Sequence, residues 1–401
     1  MIKKIKFVYK NIIRYTIGFI LSLIIKRDPK ICIMSQRTGK DLFLHNVKYL
    51  FLHMQNRTDL KFIWVCDDKQ MLKKFKERGI KNVYSRKSLK GFYYTLKAKY
   101  WFYDYKATSI SDYWSYGAVL INLWHGAGAL KKIEKDAFSK IYNFAPNSLQ
   151  GKILSLLNLK DDYFIVNSEL EKEARKSAFL AKDEQVKILG SPRCDCLYKD
   201  FLNQDIFMEK DYENIGKFKQ NGRKVILYVP TFRDTGKNIF SWLKSDKLKS
   251  FLEENNAVLL CKLHPYDVNS LDFESLDNIY KMDADSDILS IMKYVDVMIT
   301  DYSSAFYEYL LLNRPIIYYI PDIEEYTDQC RGFYEPYENI TAGNYTYTEE
   351  ELLLAINDLL HGKDLYSEKR KLLCNRVFKS QDGKNCERVI EWIKSLNKEE
   401  N

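Results

Sequence analysis

The chain has 401 residues, of which 46% are hydrophobic and 14% aromatic, and its formal net charge is +9. It is too rich in aromatic residues for a disordered protein and too polar for one that crosses a membrane several times. Its length suits two domains of ordinary size. Residues 1–40 contain ten basic residues and one acidic residue, which equals the whole net charge. The rest of the chain is balanced, so we expect no nucleic-acid partner.

The first 27 residues combine a basic start with a short apolar run. Between Arg14 and Lys26 there are 11 uncharged residues, fewer than the roughly 20 that a membrane-spanning helix needs. A secretory signal peptide would need a small-residue cleavage site, and a charged segment follows instead. We therefore predict that residues 1–27 form an amphipathic helix on an anionic membrane surface. The alternative is a helix packed on the protein's own body.

Strand-like apolar runs then alternate with helical patterns in two series. The first series of strand-like runs is 31–35, 61–66, 100–104, 118–124, 163–167 and 186–190, with helical patterns at 43–54 and 68–78. A charged segment, 200–222, marks a boundary. The second series is 224–230, 257–265, 296–300 and 315–320, and it is followed by a helical pattern over 350–398.

This alternation predicts an α/β fold with parallel, doubly wound sheets. Two tandem series of similar size predict two Rossmann-like domains facing a cleft, with ligands at the carboxyl ends of the strands. The predicted division is a membrane-surface helix, an N-terminal Rossmann-like domain, a C-terminal Rossmann-like domain and a helical tail, at 1–27, 28–205, 206–375 and 376–401.

The eight cysteines are scattered and form no CxxC pair. Several lie in apolar strand-like runs, which is typical of reduced core residues in a cytoplasmic protein. The acidic segment 283–287 resembles a metal-binding DxD motif, but Ser286 or Asp287 more simply caps the helical pattern that follows it. We therefore predict no structural metal.

Polar clusters follow four of the strand-like runs. The first is His125 with Gly126 and Gly128, small residues that let the backbone approach a ligand closely. The unperturbed pKa of a histidine, about 6.5, suits a general base near neutrality. The alternative is a turn histidine with a structural hydrogen bond.

Two further clusters carry cations or hydrogen-bond donors. Arg233 offers a bidentate fork for a phosphate, or it forms a local ion pair with Asp234. Lys262 and His264 alternate onto one face of a strand, where they suit a diphosphate, although a core histidine is the simpler explanation of His264.

The fourth cluster is the strongest. A strand-like run ends at Thr300, and Asp301, Ser303 and Ser304 then open a helical pattern that runs to about Leu312. Serine hydroxyls favour helix starts, and the free N–H groups there attract anions. Capping and phosphate binding are compatible at this position.

Taken together, these segments resemble the CDP-glycerol glycerophosphotransferase family of teichoic acid and capsule synthesis, over nearly the whole length. The resemblance is carried by nine segments: WHGAGALKK (124–132), GSPRCD (190–195), VPTFRD (229–234), KLHPY (262–266), ITDYSS (299–304), EYLLLNRPIIYY (308–319), EEY (324–326), RGFY (331–334) and the tail DGKNCERV (382–389).

The resemblance implies a GT-B-like fold and transfer of a polyol phosphate, with glycerol phosphate first, from a CDP-activated donor. It implies a lipid-linked cell-wall or capsule acceptor, no cofactor beyond this substrate, and a peripheral place on the cytoplasmic face of the membrane. His125 and His264 stand in the positions of the family's two essential histidines. His125, from the N-terminal domain, is the expected general base.

The expected donor-binding residues lie in the C-terminal domain. They are Arg233, Lys262, Asp301, Ser303 and Ser304, with His264 beside them. Two other functions remain open from the sequence: a GT-B glycosyltransferase that uses a nucleotide sugar, and a noncatalytic scaffold at the membrane surface. The sequence does not distinguish glycerol from ribitol, or a primase from a polymerase.

Overall fold

The computed structural model describes residues 16–111, 113–137, 161–231, 233, 239–263, 278–329 and 332–399. The strands are β1 Asp28–Met34, β2 Gln36–Thr38, β3 Lys40–Leu42, β4 Lys61–Cys66, β5 Val83–Ser85, β6 Ala98–Tyr103, β7 Val119–Asn122, β8 Tyr163–Val166, β9 Val186–Ile188, β10 Lys224–Val229, β11 Ala257–Cys261, β12 Ile279–Lys281, β13 Val297–Thr300, β14 Ile316–Tyr319 and β15 Asn344–Thr346.

The α-helices are α1 over residues 16–24, α2 His45–His53, α3 Lys69–Glu77, α4 Leu89–Lys97, α5 Glu169–Phe179, α6 Glu209–Gln220, α7 Asp246–Glu254, α8 Leu289–Met292, α9 Ala305–Leu310, α10 Ile323–Gln329, α11 Glu349–Leu360, α12 Ser367–Val377 and α13 Asn385–Glu399. Short 3₁₀ helices lie at Ala107–Ser109, Glu134–Ala137, Asp183–Gln185, Pro192–Leu197, Ser241–Lys244 and Tyr337–Asn339.

Two parallel sheets form the frame, which confirms the predicted α/β fold. In the described residues the first sheet has the order β5-β4-β1-β6-β7-β8-β9 and the second has β12-β11-β10-β13-β14-β15. The strand order therefore reverses between β1 and β6, and again between β10 and β13. Ligands of open α/β sheets bind outside the carboxyl ends of strands at such switch points.

The strands are buried because helices cover the faces of both sheets. The central strands read as continuous apolar runs for this reason. β4 has its predicted bounds, whereas β11 ends at Cys261, earlier than the predicted 265. The seven cysteines in the described part are all buried thiols, in agreement with the predicted core role, and Cys330 lies outside that part.

The predicted helical tail returns to the first half of the chain. The backbone N–H groups of Asn385 and Cys386, at the start of α13, each donate to the carboxylate of Asp195 at 2.9 Å. Further along α13, the ring of Trp392 packs edge-on against Tyr163 of β8, with 4.9 Å between the centroids. The tail thus covers the first sheet, while the predicted boundaries at 205 and 375 remain predictions.

The N-terminal segment is described from residue 16. The described part of helix α1 has nine residues, and none of the helices in the described ranges has the length and apolar character needed to span a bilayer. The predicted amphipathic helix over 1–27 lies partly outside the described residues and remains a prediction.

Candidate active site

His125 follows β7 at the carboxyl edge of the first sheet, in a sharp turn. Trp124 has a left-handed backbone (φ +57°), and its N–H donates to Oδ1 of Asn122 at 2.9 Å. The His125 ring lies against Tyr105 on one side, nearly parallel with centroids 4.0 Å apart, and contacts Trp124 with centroids 4.5 Å apart. These two aromatic side chains fix the plane of the imidazole.

The tautomer of His125 follows from its hydrogen bond. Nδ1 lies 3.4 Å from the backbone carbonyl oxygen of Asp104. A carbonyl only accepts, so Nδ1 carries the hydrogen and Nε2 is left as a base. Burial lowers the pKa of His125 well below its ordinary value, and the nearby His45 and Arg193 lower it further. The imidazole is therefore neutral near pH 7 and able to accept a proton.

Both glycines of the loop lie close to the second half of the chain, and Gly128 is required by its backbone conformation and by a close approach. Gly128 has φ +72°, and a Cβ at this position would lie 2.4 Å from the ring of Tyr307. A Cβ on Gly126 would lie 3.3 Å from Oγ of Ser304. The histidine loop therefore touches the Ser303–Ser304 turn of the second sheet.

Asp301 and Thr231 meet at the switch point of the second sheet. Asp301 follows β13 and accepts a hydrogen bond from the backbone N–H of Thr231, which follows β10, at 2.8 Å. Burial raises the pKa of Asp301, and the charge of Arg233 opposes the rise. The buried carboxylate therefore holds the ends of two neighbouring strands together.

Arg233 is buried and its guanidinium is already paired. Nη1 lies 2.8 Å from a carboxylate oxygen of Asp301, and Nε donates to Asp322 at 2.7 Å. Burial would lower the pKa of Arg233, but the two carboxylates outweigh it and raise the pKa. The fork thus binds two protein carboxylates, whereas Asp234, the alternative local partner, lies outside the described residues. Its predicted role in donor binding is untested.

Ser303 and Ser304 both line the cavity described below, but they differ at the helix start. Oγ of Ser303 accepts from the backbone N–H of Ala305 at 3.4 Å. Ser304 precedes α9 with a helical backbone and makes no capping bond through its side chain. Helix α9 ends at Leu310, earlier than the predicted Leu312.

Lys262 faces a different part of the protein. Its Nζ donates to the backbone carbonyls of Asp283, at 2.7 Å, and of Ala284. Burial lowers the pKa of Lys262 to about 8, while nearby carboxylates such as Asp285 oppose the change. Lys262 is not among the described residues that line the cavity. His264 lies outside the described residues, so its predicted role stays a prediction.

Loops that follow strands of both sheets line one cavity of about 660 Å³. His125, the glycine loop and Lys131 line it from the first half, and Thr231, Ser303 and Ser304 line it from the second half. Within the described ranges, no three His, Cys, Asp or Glu side chains are grouped as a metal site would require.

Arg193 and Glu308 form an ion pair that joins the first half of the chain to the second half at the cavity. Neither residue had a role predicted from the sequence. Nη1 of Arg193 donates to the backbone carbonyl of His125 at 2.7 Å, and Nη2 donates to Glu308. Glu308 also accepts from the backbone N–H of Ala127 at 2.8 Å. The buried ion pair therefore holds the histidine loop on both sides of Gly126. Both residues lie in segments that carry the family resemblance, GSPRCD and EYLLLNRP, which was the available signal.

Comparison with known proteins places this site in a family. The family of CDP-glycerol:poly(glycerophosphate) glycerophosphotransferases matches residues 18–395. The teichoic acid poly(glycerol phosphate) polymerase of Bacillus spizizenii is 30% identical over 359 residues, which are 86% of this chain and 87% of that protein. The teichoic acid ribitol-phosphate polymerases TarL and TarK of Staphylococcus aureus are 32% and 31% identical, over 68% of this chain. The matches cover 47% and 51% of those two relatives, about half of their length.

Solved structures agree on the fold. The wall teichoic acid polymerase TagF superposes with a TM-score of 0.74 at 23% identity, covering 100% of this chain and 98% of that chain. A UDP-GlcNAc 2-epimerase from Neisseria meningitidis superposes with a TM-score of 0.54 at 14% identity, over 91% of this chain and 100% of that chain. At these identities the likeness concerns the fold alone. The sequence matches, which cover nearly the whole chain, place the chain in the CDP-glycerol:poly(glycerophosphate) glycerophosphotransferase family.

Proposed function

We propose that the chain transfers a polyol phosphate, glycerol phosphate first, from a CDP-activated donor to a lipid-linked cell-wall or capsule polymer. The observation that carries this proposal is the cavity in which His125 faces the Ser303–Ser304 turn. Family membership supports the reaction class, and the relatives named above are polymerases of glycerol or ribitol phosphate.

In this reaction an acceptor hydroxyl attacks the β-phosphorus of the CDP-polyol. The P–O bond to the CMP phosphate breaks, CMP leaves, and the hydroxyl proton passes to Nε2 of His125. The neutral tautomer suits this step because Nδ1 is committed to Asp104. General-base catalysis of this kind contributes about 10²–10⁴-fold to the rate.

The donor diphosphate would lie on the wall of the second sheet. Ser303 and Ser304 offer hydroxyl donors there, and Lys131 lines the same cavity from the first half. Fixed donors and cations stabilise charge on the phosphoryl oxygens without having to reorganise during the reaction. Arg233 would act indirectly, because its guanidinium holds the carboxylate of Asp301 in place. Lys262 would act from outside this part of the wall.

The two sheets would then belong to two Rossmann-like domains in a GT-B-like arrangement, with the cavity between them. The TagF superposition supports this arrangement. The protein would act at the cytoplasmic face of the membrane as a peripheral protein, because its acceptor is lipid-linked and its N-terminal segment is apolar and basic.

Product analysis tests the proposal. The purified chain is incubated with CDP-glycerol, CDP-ribitol or nucleotide sugars and a lipid-linked acceptor, and the released nucleotide and the polymer are identified. We expect CMP release with one of the CDP-polyols. Release of a nucleoside diphosphate from a sugar donor, without CMP release, would make the chain a glycosyltransferase. A scaffold would turn over none of the donors.

A further inference from the structure

Helix α1 exposes apolar side chains that a water-soluble surface would normally bury. Leu23 and Ile24 are 72% and 74% exposed, and Ile17, Phe19 and Ile20 are also exposed. Single apolar residues on a surface are ordinary, but a continuous group of this size marks an interaction site.

A second helix presents the same kind of surface. On α4, Leu89 is 90% exposed and Tyr93 is 52% exposed, with Phe92 beside them. Phe92 and Tyr93 lie three and four residues after Leu89, so each is a neighbour of Leu89 on the same face of the helix. Gly91 and Thr95 on the opposite face are buried, and Leu96, two turns after Leu89 on the same face, is buried as well.

Trp114 and Arg27 connect the two helices into one surface. The ring of Trp114 contacts Phe92 of α4 edge-on, with centroids 5.4 Å apart, and lies beside Gly18 of α1. Arg27, just after α1, donates to the backbone carbonyls of Thr95 in α4, at 3.1 Å, and of Trp114, at 2.6 Å. Burial lowers the pKa of Arg27 to about 10. Arg27 is thus a structural residue of this surface and not a free contact for lipid.

The charge around this surface is strongly one-sided. Residues 81–99 contain six basic residues and no acidic residue. Arg86 pairs with Asp41, which leaves five lysines, and Lys87 and Lys90 are exposed beside Leu89. Although the charges of residues 41–401 sum to zero, residues 81–99 form a second basic segment. The fold places this segment next to the basic N-terminal segment.

We propose that α1, α4 and the 113–116 segment form one membrane-docking surface for an anionic lipid bilayer, with α4 as its second inserting element. Exposed apolar side chains ringed by lysines are the combination that binds such an interface. The inference rests on the proposed peripheral location and adds a second contact that fixes the protein's orientation. Thr108 lines the cavity and lies six residues from Trp114, a separation of at most about 20 Å. Two contacts would hold the cavity mouth at a fixed height above a lipid-linked acceptor.

Vesicle co-sedimentation of the full chain tests the docking surface. One variant is Leu89→Asp with Tyr93→Asp, and its control is Leu365→Asp with Leu372→Asp, which changes two exposed leucines elsewhere. A second variant is Lys87→Glu with Lys90→Glu, with Lys379→Glu and Lys384→Glu as its control. Each lysine near an anionic surface contributes about fivefold to partitioning. We therefore expect both α4 variants to bind anionic vesicles at least about tenfold more weakly, and both controls to bind as the unmodified chain does.

CMP release with a soluble acceptor is measured in parallel, so that failure of the docking surface is distinguished from failure of the proposed reaction. Equal vesicle binding by the α4 variants and their controls would overturn the inference. So would a change of oligomeric state in the α4 variants without a change in vesicle binding, because the surface would then be a protein contact. If Leu89→Asp lowers the melting temperature, Leu89→Ser replaces it as the milder change and is judged by the same criterion.

Discussion

A single imidazole between two aromatic rings is the centre of the proposed chemistry. His125→Ala removes the base and should lower kcat for CMP release by about 10²-fold or more. His361→Ala is the matched control, since His361 is an exposed histidine whose Nδ1 faces only the carbonyl of Asn357. Near-normal turnover by a folded His125→Ala protein would show that the proton goes elsewhere.

His45 gives the site a pH-dependent stability. Burial, followed by the charge of Arg193, lowers the pKa of His45 to about 3. The unfolded chain takes up this proton near pH 6.5, whereas the folded chain does not until about pH 3. The unfolded state therefore binds more protons within this range, and stability falls as the pH drops through it.

The variant His45→Asn isolates this effect. His45 has a left-handed backbone (φ +60°), which asparagine tolerates well, and asparagine does not titrate. We expect the melting temperature of the unmodified chain to fall more steeply than that of His45→Asn between pH 7 and pH 4.5. If the melting temperatures of the two proteins changed in parallel across this pH interval, His45 would take up its proton at the same pH in the folded and the unfolded state.

For single residues, the sequence predicts which positions belong to the candidate site better than it predicts the residues that they contact. His125 and Asp301 directly follow apolar strand-like runs and Ser303 comes two residues after Asp301, so the sequence predicts all three as candidate site residues. The pairing of Arg233 with Asp322 was not found, because the two residues come from distant segments that meet only when the sheet forms. The same holds for Lys131, whose place on the cavity wall depends on packing between the two halves.

The start of α9 is the element on which donor binding is proposed to depend. Ser303→Asp with Ser304→Asp places two negative charges on the wall where the diphosphate would lie, and like charges there should abolish CDP-glycerol binding. Isothermal calorimetry measures this affinity. Ser245→Asp is the control, because Ser245 caps α7 at another site and aspartate is an equally good cap. An unchanged affinity would remove the donor from this wall.

Element prediction succeeded where a run is long enough to show a pattern. β4, β10 and β11 each have five consecutive buried residues, so their apolar runs are clear in the sequence. β5, β12 and β15, three-residue strands at the edges of their sheets, were not predicted, because none of them belongs to a longer aliphatic run as the equally short β9 does. The predicted run 118–124 continues beyond β7 because Leu123 is buried and Trp124 is half-buried in the turn that carries His125.

At the scale of the whole molecule, the two halves are joined by buried polar contacts. Nζ of Lys48 and the hydroxyl of Tyr49, both in α2, lie 3.1 Å and 2.8 Å from Asp287, in the second half. Asp287 also accepts from the backbone N–H of Leu289, although Ile288, and not the predicted Asp287, is the N-cap residue of α8. No local pattern in the sequence indicates that a helix of the first half supplies the cation for this carboxylate.

The Lys48–Asp287 pair should therefore control the stability of the joined halves. Asp287→Asn keeps one side-chain oxygen, which can replace only one of the two oxygens that accept from Tyr49 and from Leu289. It also leaves the ammonium of Lys48 buried without its charged partner. Removing one member of a buried pair costs about 3–5 kcal/mol, which chemical denaturation would measure as a lower free energy of unfolding. Lys48→Met in the same chain removes the stranded charge, so the double variant should recover much of that loss. If the losses from the two single variants simply add in the double variant, the pair is not coupled, and the two halves are held together by the apolar contacts around it.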